Sequence, residues 1–574
     1  MAPNAGARNH GARRRPATGY YSDLVTRPKP NPALPLDAAR TAIARGDWQA
    51  ALRAARASLE VAETAAGHEL LGLACWWLSD AETLFNSRER AYRLYRNQGD
   101  VRRAARIAVW LDWDYRAFRA QPAIANGWLR RARRLLEGHH QSAEYGWLLL
   151  READARMAQD AKAAATGAAV AAALGRRLHD ADLEFLALSL QGLALVAAGQ
   201  VTKGMAQLDE ATAAVVAGDF SDRSAAGVAC CHLIAACELV RDFDRADQWC
   251  GRVKEYCRRW DHPPLFAVCR TQYAGVLVSS GDWAAAETEL TSAVTELTLL
   301  RPGWISLALL RLADLRRRQG RLDEAATIFE RFGAAPEAGL GLAAIALDRG
   351  APAEAERFAR QVLRQLARGN HAARASALEL IVLATSASGR PDAAKPELAE
   401  LEALAASLNS DAIRASATLA AAAAAAGRTH WLVARNALED AVALFDGAGA
   451  PFDALRARLL LAELLQAIGE VAAARAEAVS LAKQAHRLGA LWMEERAGAL
   501  ARSLVAKSGM PQAVTARERE ILAHVVLGLT NRQIAGRLGV SEHTIHRHLA
   551  NIFTKLGLSS RAGAVAFALR HGIG

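Results

Sequence analysis

Apolar residues recur at helical spacing through most of the chain, from Leu36 to about Val505. This part is rich in alanine and leucine and is almost free of the alternation of apolar and polar residues that marks β-strands. Single glycines interrupt the pattern, and in seven segments an alanine follows the glycine five residues later. Those glycines are Gly46, Gly99, Gly281, Gly320, Gly350, Gly389 and Gly469. The pattern predicts many consecutive helices joined by short turns.

The repeated glycine and alanine indicate how these helices pack. Glycine permits the backbone of a tight turn, and a small alanine lets the next helix approach closely. Solenoids of helical hairpins such as the tetratricopeptide type have these requirements. Spacings between Gly281 and Gly389 range from 30 to 39 residues, more variable than that repeat's period of about 34. We therefore predict degenerate tetratricopeptide-like repeats over residues 35–505, with an irregular all-α domain as the alternative.

Three helix starts lie close together in residues 514–565, and a fourth helix follows them. Two of the starts have the Ser/Thr-x-x-Glu/Gln spacing of a capping box, which satisfies amide groups at the beginning of a helix. The third start is a serine that comes directly after a Gly-Val turn. In chain order, the predicted N-terminal caps are Thr515, Thr530, Ser541 and Ser560.

The second and third of these helices are joined by the tight turn at Gly539 and Val540, as in a helix-turn-helix, whose second helix enters the major groove of DNA. On the third helix, an apolar stripe is expected to be buried, formed by Ile545, Leu549, Ile552 and Leu556. The side chains left facing outward are His543, His546, Arg547, Ala550, Asn551 and Thr554. These positions are predicted to meet DNA.

The same stretch resembles the C-terminal DNA-binding domain of LuxR-type transcription regulators. The positions that match the motif of that family are Thr515, Arg517, Glu518, Glu520, Gly528, Asn531, Ile534, Ala535, Leu538, Ser541, Thr544, His548, Asn551, Ile552, Lys555, Leu556, Ser560 and Arg561. The upstream helices resemble the repeat region found before that domain in many of these regulators. The resemblance implies a four-helix DNA-binding domain over residues 514–574 that binds double-stranded promoter DNA as a dimer.

Roles for single residues follow from their chemistry at the groove. We expect His546 and Arg547 to face base edges, with Arg547 preferring guanine, and Ala550 to touch a thymine methyl group. The family usually has lysine at the position of His546, so base readout is expected to differ from the family norm. Asn551 lies on the same outward face.

Phosphate contacts are expected at the starts of the second and third helices, where free amide groups favour anions. The residues assigned to them are Thr530, Asn531, Arg532, Ser541 and Thr544. His548 borders the buried stripe, so it is either a packing histidine or a phosphate ligand. Lys555 either contacts phosphate or belongs to a solvated face.

The fourth helix is expected, from the resemblance, to pair two copies of the module. Its small apolar residues Ala564, Val565 and Ala568 suit a close isologous contact. We therefore predict a homodimer on DNA that uses these three residues.

The net charge is distributed unevenly along the 574 residues. The net charge of +11 includes +5 in residues 1–34 and +5 in residues 511–574, which leaves +1 for the long middle. A basic module attached to a nearly neutral body is typical of a polyanion-binding domain joined to a domain with another partner. Residues 1–34 are predicted to be a disordered basic arm, and residues 506–513 a linker.

The N-terminus has no apolar core of signal-peptide length, and the longest uncharged runs contain polar residues and glycines, so we predict no export signal and no membrane span. The expected location is the bacterial cytoplasm, where the seven cysteines would be reduced. The cluster from Cys230 to Cys269 is interpreted as small buried residues, with a metal or redox sensor as the alternative. No C-x-x-C occurs.

No phosphate-binding loop of the form G-x-x-x-x-G-K-(S/T) occurs, and no catalytic constellation is assigned, so we predict neither an enzyme nor a cofactor. The sequence predicts a DNA-binding transcription regulator whose repeat region senses a protein partner or a small ligand. Two alternatives are a scaffold whose helix-turn-helix contacts protein, and an enzyme hidden in the helical body.

Overall fold

The computed structural model describes residues 33–259, 267–408, 410–508, 514–556, 558, 560–570 and 573. Within these ranges every regular element is helical, with 29 α-helices, two short 3-10 helices and no strand. The predicted all-α fold is therefore confirmed. The basic arm predicted at residues 1–34 lies outside the described residues except for 33 and 34, which begin the first helix. Of the linker predicted at residues 506–513, residues 509–513 lie outside the described residues, and residues 506–508 are the end of a helix.

The helices are numbered in chain order. The first thirteen are α1 (Ala33–Arg45), α2 (Trp48–Val61), α3 (Ala65–Leu78), α4 (Ala81–Asn97), α5 (Val101–Arg119), α6 (Pro122–Leu135), α7 (Ala143–Arg156), α8 (Ala161–Leu178), α9 (Ala181–Ala197), α10 (Val201–Ala217), α11 (Arg223–Val240), α12 (Phe243–Arg259) and α13 (Ala267–Ser280). The next twelve are α14 (Trp283–Leu300), α15 (Ile305–Gln319), α16 (Leu322–Arg331), α17 (Pro336–Asp348), α18 (Pro352–Gln365), α19 (His371–Ala387), α20 (Lys395–Leu408), α21 (Asp411–Gly427), α22 (Trp431–Gly447), α23 (Pro451–Ala467), α24 (Val471–Leu488) and α25 (Leu491–Ser508). The C-terminal module contains α26 (Ala516–Val526), α27 (Asn531–Leu538), α28 (Glu542–Leu556) and α29 (Arg561–Arg570). The 3-10 helices are Pro302–Trp304 and Pro391–Ala394.

The chain separates into two compact units, one up to Leu94 and one from Tyr95. In the first unit α1 packs on α2 and α3, and α2 packs on α3. The carboxylate of Asp47 caps α2 by accepting a hydrogen bond from the Ala50 N–H at 2.9 Å. The domain limits proposed from the sequence stay predictions.

In the second unit most consecutive helices pack on each other as hairpins, because the turns between them are short. Each odd-numbered helix from α5 to α23 also contacts the next odd-numbered helix. Among the described even-numbered helices from α6 to α24, α10 and α12 are the pair with a comparable contact with each other. One helix of each hairpin thus forms a continuous inner layer, and the second helix lies beside it. This is the hairpin stack that the glycine and alanine pattern predicts.

The turn at Gly281 explains the repeated glycine. Its φ of +94° is in the left-handed region, where side chains larger than glycine are strained. The next residue, Asp282, caps α14 by accepting a hydrogen bond from the Ala285 N–H at 3.2 Å. The Gly-Asp pair therefore ends one helix and starts the next within two residues.

Helices ten positions apart along the chain also touch. Such contacts join α9 to α19 and α13 to α23, and α5 meets the 3-10 helix Pro302–Trp304. One hydrophobic cluster accordingly contains Leu193, Leu233, Leu419 and Leu461, which lie far apart in sequence. The inner layer is covered in these places by later helices of the same chain.

One described helix, α11, is long and apolar enough to cross a membrane by length and composition, with a mean hydropathy of 1.4 over 18 residues. Its side chains Leu233, Ile234, Cys237 and Val240 belong to the largest core cluster. The helix also contacts α9, α10, α12 and α13. Its apolar composition is accounted for by packing inside the helical stack.

Buried ion pairs join odd-numbered helices within this core. Arg456 of α23 donates hydrogen bonds to Glu379 of α19 at 3.1 Å and to Asp453 at 3.0 Å. Arg317 of α15 donates to Asp348 of α17 at 3.0 Å. A buried charge is tolerated when an opposite charge and hydrogen bonds compensate for its lost hydration, so these pairs depend on one another.

The ionisation state of the carboxylates in this network depends on the neighbouring guanidinium groups. Burial alone would raise the pKa of the Asp453 carboxyl, but the guanidinium groups of Arg318, Arg241 and Arg456 outweigh it and hold that pKa below its ordinary value. Asp453 is therefore ionised at neutral pH, as its partners require.

We expect Arg456→Ala to lower the free energy of unfolding by about 3 kcal/mol, because it removes the hydrogen-bonding partner of two largely buried carboxylates, Glu379 and Asp453. Urea titration of the full chain, followed by circular dichroism, measures this loss. The matched control is Arg414→Ala, which removes only an exposed ion pair with Asp411 on the same helix and should leave the midpoint unchanged. Equal shifts for the two variants would contradict the structural role of Arg456.

Candidate nucleic-acid interface

Capping side chains set the helix starts of the C-terminal module. Thr515 Oγ1 accepts a hydrogen bond from the Glu518 N–H at 3.3 Å, and Glu518 Oε2 accepts one from the Thr515 N–H at 2.8 Å. Thr530 and Gln533 form the same reciprocal pair at 3.3 and 2.8 Å. Gly539, with a φ of +66°, ends α27. Each of the four predicted caps stands directly before a helix.

Aliphatic side chains of α26, α27 and α28 form one core. Ile521, Ile534, Ile545 and Ile552 have no exposed surface, and Leu549 is 5% exposed. Because an α-helix has 3.6 residues per turn, burial of these three α28 positions fixes the rotation of that helix about its axis. The residues between them must face outward.

The outward face of α28 has the predicted composition. The residues exposed on it are His543, His546, Arg547, Ala550, Asn551 and Thr554. This face therefore presents two imidazoles, a guanidinium group and a carboxamide to solvent. Such groups suit the donor and acceptor pattern of a major groove.

The surface around α28 is cationic. Arg532 and Arg537 of α27 and Arg547 of α28 are exposed, and within the described part of the chain none of them has an ion pair. One exposed carboxylate, Glu542, lies in the first turn of α28. The balance of charge favours a polyanion.

Hydroxyl groups assigned to phosphates have local partners. The Oγ atoms of Ser541 and Thr544 lie 2.8 Å apart, and Ser541 Oγ accepts a hydrogen bond from the Thr544 N–H at 3.1 Å. Thr530 Oγ1 similarly caps α27 through Gln533. These residues hold the helix starts in place, and their phosphate contacts stay predictions.

The ion pair between Lys555 and Glu518 was not predicted from the sequence. Lys555 Nζ lies 2.7 Å from Glu518 Oε1 and joins the end of α28 to the start of α26. Burial raises the pKa of Glu518, but hydrogen bonds from Lys555 and Thr515 outweigh this effect and lower the pKa. Lys555 thus has a structural role, which neither of its predicted roles includes, and its contact with phosphate stays a prediction.

Arg561 makes a second link that the sequence analysis did not predict. Its guanidinium group donates to Asn531 Oδ1 at 2.9 Å and to the carbonyl of Leu529. It therefore ties the start of α29 to the start of α27. Asn531 is half-buried by this arrangement, and the intermediate exposure of His548 leaves both of its predicted roles open.

Two of the three residues predicted to form a dimer face on α29 lie inside their own module. Ala564 and Ala568 have no exposed surface, because they belong to the core of their own module, in which α29 packs on α26. Val565 is half-buried in the same core. The large apolar side chain that α29 does expose is Leu569, which is 61% accessible.

These four helices and their cationic third helix define a helix-turn-helix domain of the kind that binds DNA. Residues 512–568 match the family model described as bacterial regulatory proteins, luxR family. The C-terminal segment thus carries the LuxR-type domain that the motif predicts.

Curated relatives match over this segment. The probable transcriptional regulatory protein SgaR of Hyphomicrobium methylovorum is 54% identical over 55 residues, which are 10% of this chain and 26% of that protein. The transcriptional regulatory protein MctR of Rhizobium johnstonii is 43% identical over 60 residues, 10% of this chain and 28% of that protein. LnrK of Bacillus subtilis, also a transcriptional regulatory protein, is 38% identical over 60 residues, with 10% and 27% covered. The match spans about a quarter of each relative's length.

Two solved structures align with a larger part of the chain. The crystal structure of the APC/C hetero-tetramer Cut9-Hcn1 has a TM-score of 0.39 and 11% identity, and covers 83% of this chain and 96% of that one. Yeast Tom70 has a TM-score of 0.29 and 12% identity with the same coverage. Scores this low do not bear on function.

Cysteines of the helical body are buried. The Sγ atoms of Cys231 and Cys269 lie 2.8 Å apart, and hydrogen bonding with Cys269 and burial raise the pKa of Cys231 well above its usual range. Burial also raises the pKa of Cys237 above its usual range. Among the described side chains, no group of three or more His, Cys, Asp and Glu is placed to hold a metal ion. The side chain of Cys257 lies outside the described residues.

We expect Glu518→Ala to reduce the protection of α26 amides against hydrogen exchange by about 2 kcal/mol, because it removes half of the capping box and the partner of Lys555. Hydrogen exchange with mass spectrometry on the full chain measures the change. Glu520→Ala is the control, since Glu520 is exposed on the same helix and pairs only with Arg517. Similar losses of protection in both variants would show that Glu518 is not a structural residue.

Proposed function

We propose that this protein is a transcription regulator that binds double-stranded promoter DNA in a sequence-specific manner through its C-terminal module. The observation that carries the proposal is the outward face of α28, where Arg547 and His546 stand exposed above a fixed aliphatic stripe. The similarity of this segment to LuxR-family domains supports it. The alternative, a helix-turn-helix that contacts only protein, gives no reason for the uncompensated cations beside α28.

In the proposed complex α28 lies in the major groove. Arg547 donates two hydrogen bonds to a guanine, Ala550 meets a thymine methyl group, and His546 and Asn551 contact neighbouring base edges. Arg532, on the preceding helix, contacts a backbone phosphate, which gives affinity without selectivity.

We expect Arg547→Ala to weaken binding to the preferred sequence by about 1 to 3 kcal/mol and to relax selectivity at one base pair, because it removes a bidentate contact. Arg532→Ala should weaken binding to all DNA sequences by the same factor and reduce the slope of log affinity against log salt concentration by about one. Selection from a random duplex pool, followed by fluorescence anisotropy at several salt concentrations, measures both effects. Exchanged outcomes would reverse the two assignments, and unchanged binding in both variants would refute the interface.

A homodimer on DNA remains part of the proposal, with a changed contact. Because Ala564 and Ala568 are buried in their own module, the pairing surface on α29 is assigned to its exposed side, which includes Leu569 and Ala562. An exposed leucine on a short helix is a suitable centre for an isologous contact.

We expect Leu569→Asp to convert two-to-one binding on a selected operator into one-to-one binding, because a charge at the centre of an apolar contact opposes pairing. Analytical ultracentrifugation of the protein with the operator duplex measures the stoichiometry. Leu527→Asp is the control, since Leu527 is 62% exposed at the end of α26 in the same module. Two-to-one binding by the Leu569 variant would rule out this contact.

For the helical repeat region we propose a sensing role, in which a protein partner or a small ligand changes the activity of the DNA-binding module. An open cavity of about 1040 Å³ supports a ligand. Val216 and Trp249 contribute apolar surface to it, and Asp209, Asp242 and Arg245 lie around it. Mixed apolar and charged walls are typical of sites that orient a small organic molecule.

A further inference from the structure

A second basic region lies within the helical body. Residues 95–138 contain ten arginines and four acidic residues, a net charge of +6 in a stretch that includes α5 and α6. Two of the acidic residues, Asp112 and Asp114, have no exposed surface, and Asp112 pairs with Arg116 and Arg151. The surface of this hairpin is therefore more basic than its composition suggests.

The amphipathic pattern of α6 determines which of its arginines face away from the neighbouring helices. Ala125, Leu129 and Ala132 are buried against neighbouring helices. At 100° per residue, Arg130 and Arg134 lie opposite that buried stripe, at the centre of the exposed face. Arg133 lies towards α7 and pairs with Glu152 at 2.7 Å.

Two arginines on the outer face of α6 are not neutralised by acidic neighbours. Within the described residues, Arg130 and Arg134 have no ion pair. Arg131 is exposed beside them, and its guanidinium carbon lies 5.7 Å from the ring centre of Trp128. Glu137, which lies just after the end of α6, is an exposed acid close by in sequence. Three guanidinium groups thus share one face and one helical turn.

The neighbouring helix extends this surface. A two-residue turn joins α5 to α6, so the helices run antiparallel and the basic end of α6 lies beside the start of α5. Arg102 and Arg103 are exposed there, although Arg102 pairs with Glu144 and Arg103 with Asp100.

We propose that the outer face of α6, formed by Arg130, Arg131 and Arg134, binds backbone phosphates of duplex DNA that flanks the site held by the C-terminal module. Arginine presents a planar array of donors that matches phosphate oxygens. The inference rests on the proposed function, because that function brings duplex DNA to the protein.

Other polyanions fit this face less well. Single-stranded RNA is bound by stacking on exposed aromatic rings, but Trp128 is half-buried and is covered on one side by Arg131. An acidic protein partner would need a central apolar anchor, and the exposed apolar residue of α6, Ile124, lies at its other end. A surface of arginines without an anchor suits a regular row of phosphates.

The test compares two triple variants of the full chain on a random-sequence 60-base-pair duplex. One is R130Q/R131Q/R134Q. The other is R364Q/R368Q/R487Q, which removes three exposed arginines elsewhere in the body and changes the net charge equally. Fluorescence anisotropy at several salt concentrations gives the slope of log affinity against log salt, and circular dichroism checks that both variants are folded.

We expect the α6 triple to flatten the slope by about two to three, since each neutralised phosphate contributes about 0.9, and to bind at least tenfold more weakly in moderate salt. The control triple should keep the slope of the unmodified protein. Equal slopes for the two triples, with Arg547→Ala still weakening binding to a selected operator, would overturn this inference and leave the proposed function standing. No binding by the unmodified protein at low salt would overturn both. Loss of binding to a single-stranded 30-nucleotide RNA, with the duplex slope unchanged, would assign the α6 face to RNA instead.

Discussion

The burial of one aliphatic stripe on α28 is the constraint on which the interface depends. Ile545, Leu549 and Ile552 insert between α26 and α27, so the helix has a single rotation in which its polar face is presented to solvent. Capping boxes at Thr515 and Thr530 fix where the two supporting helices begin. Two contacts between residues distant in sequence then join the helix ends. Lys555 forms an ion pair with Glu518, and Arg561 donates a hydrogen bond to Asn531. The side chains proposed to face DNA are therefore positioned by residues that themselves face inward.

The helical body uses a different combination of forces. Small residues at the turns allow hairpins to stack closely, and contacts between helices ten positions apart close the inner layer over a common core. Charged groups are buried in this layer, where Arg456, Glu379 and Asp453 compensate one another. Removal of one member leaves its partners short of an opposite charge in a medium of low polarity, so these charges depend on one another. The proposed sensing role acts on a body whose inner surface is already partly occupied by its own side chains.

Local features of the fold could be predicted from the sequence, because they depend on residues within one or two turns. The helix caps, the Gly-Asp turns and the outward face of α28 are of this kind. Features that depend on distant residues could not be predicted. Glu518 and Lys555 are 37 residues apart, and no periodicity relates them. The small face of α29 shows a further limit, since Ala564 and Ala568 do support close packing, but against α26 of the same module. A pattern of small residues predicts a close contact without identifying its partner.

The most direct test of the central claim is chemical interference on an operator selected from a random duplex pool. Methylation of guanine N7 blocks the major-groove acceptor that Arg547 is assigned to contact. The account predicts that methylation of one guanine in each half-site prevents binding by the full chain, and that Arg547→Ala removes the sensitivity at that guanine. Tight, sequence-specific binding that is indifferent to every N7 methylation would contradict recognition by α28 in the major groove.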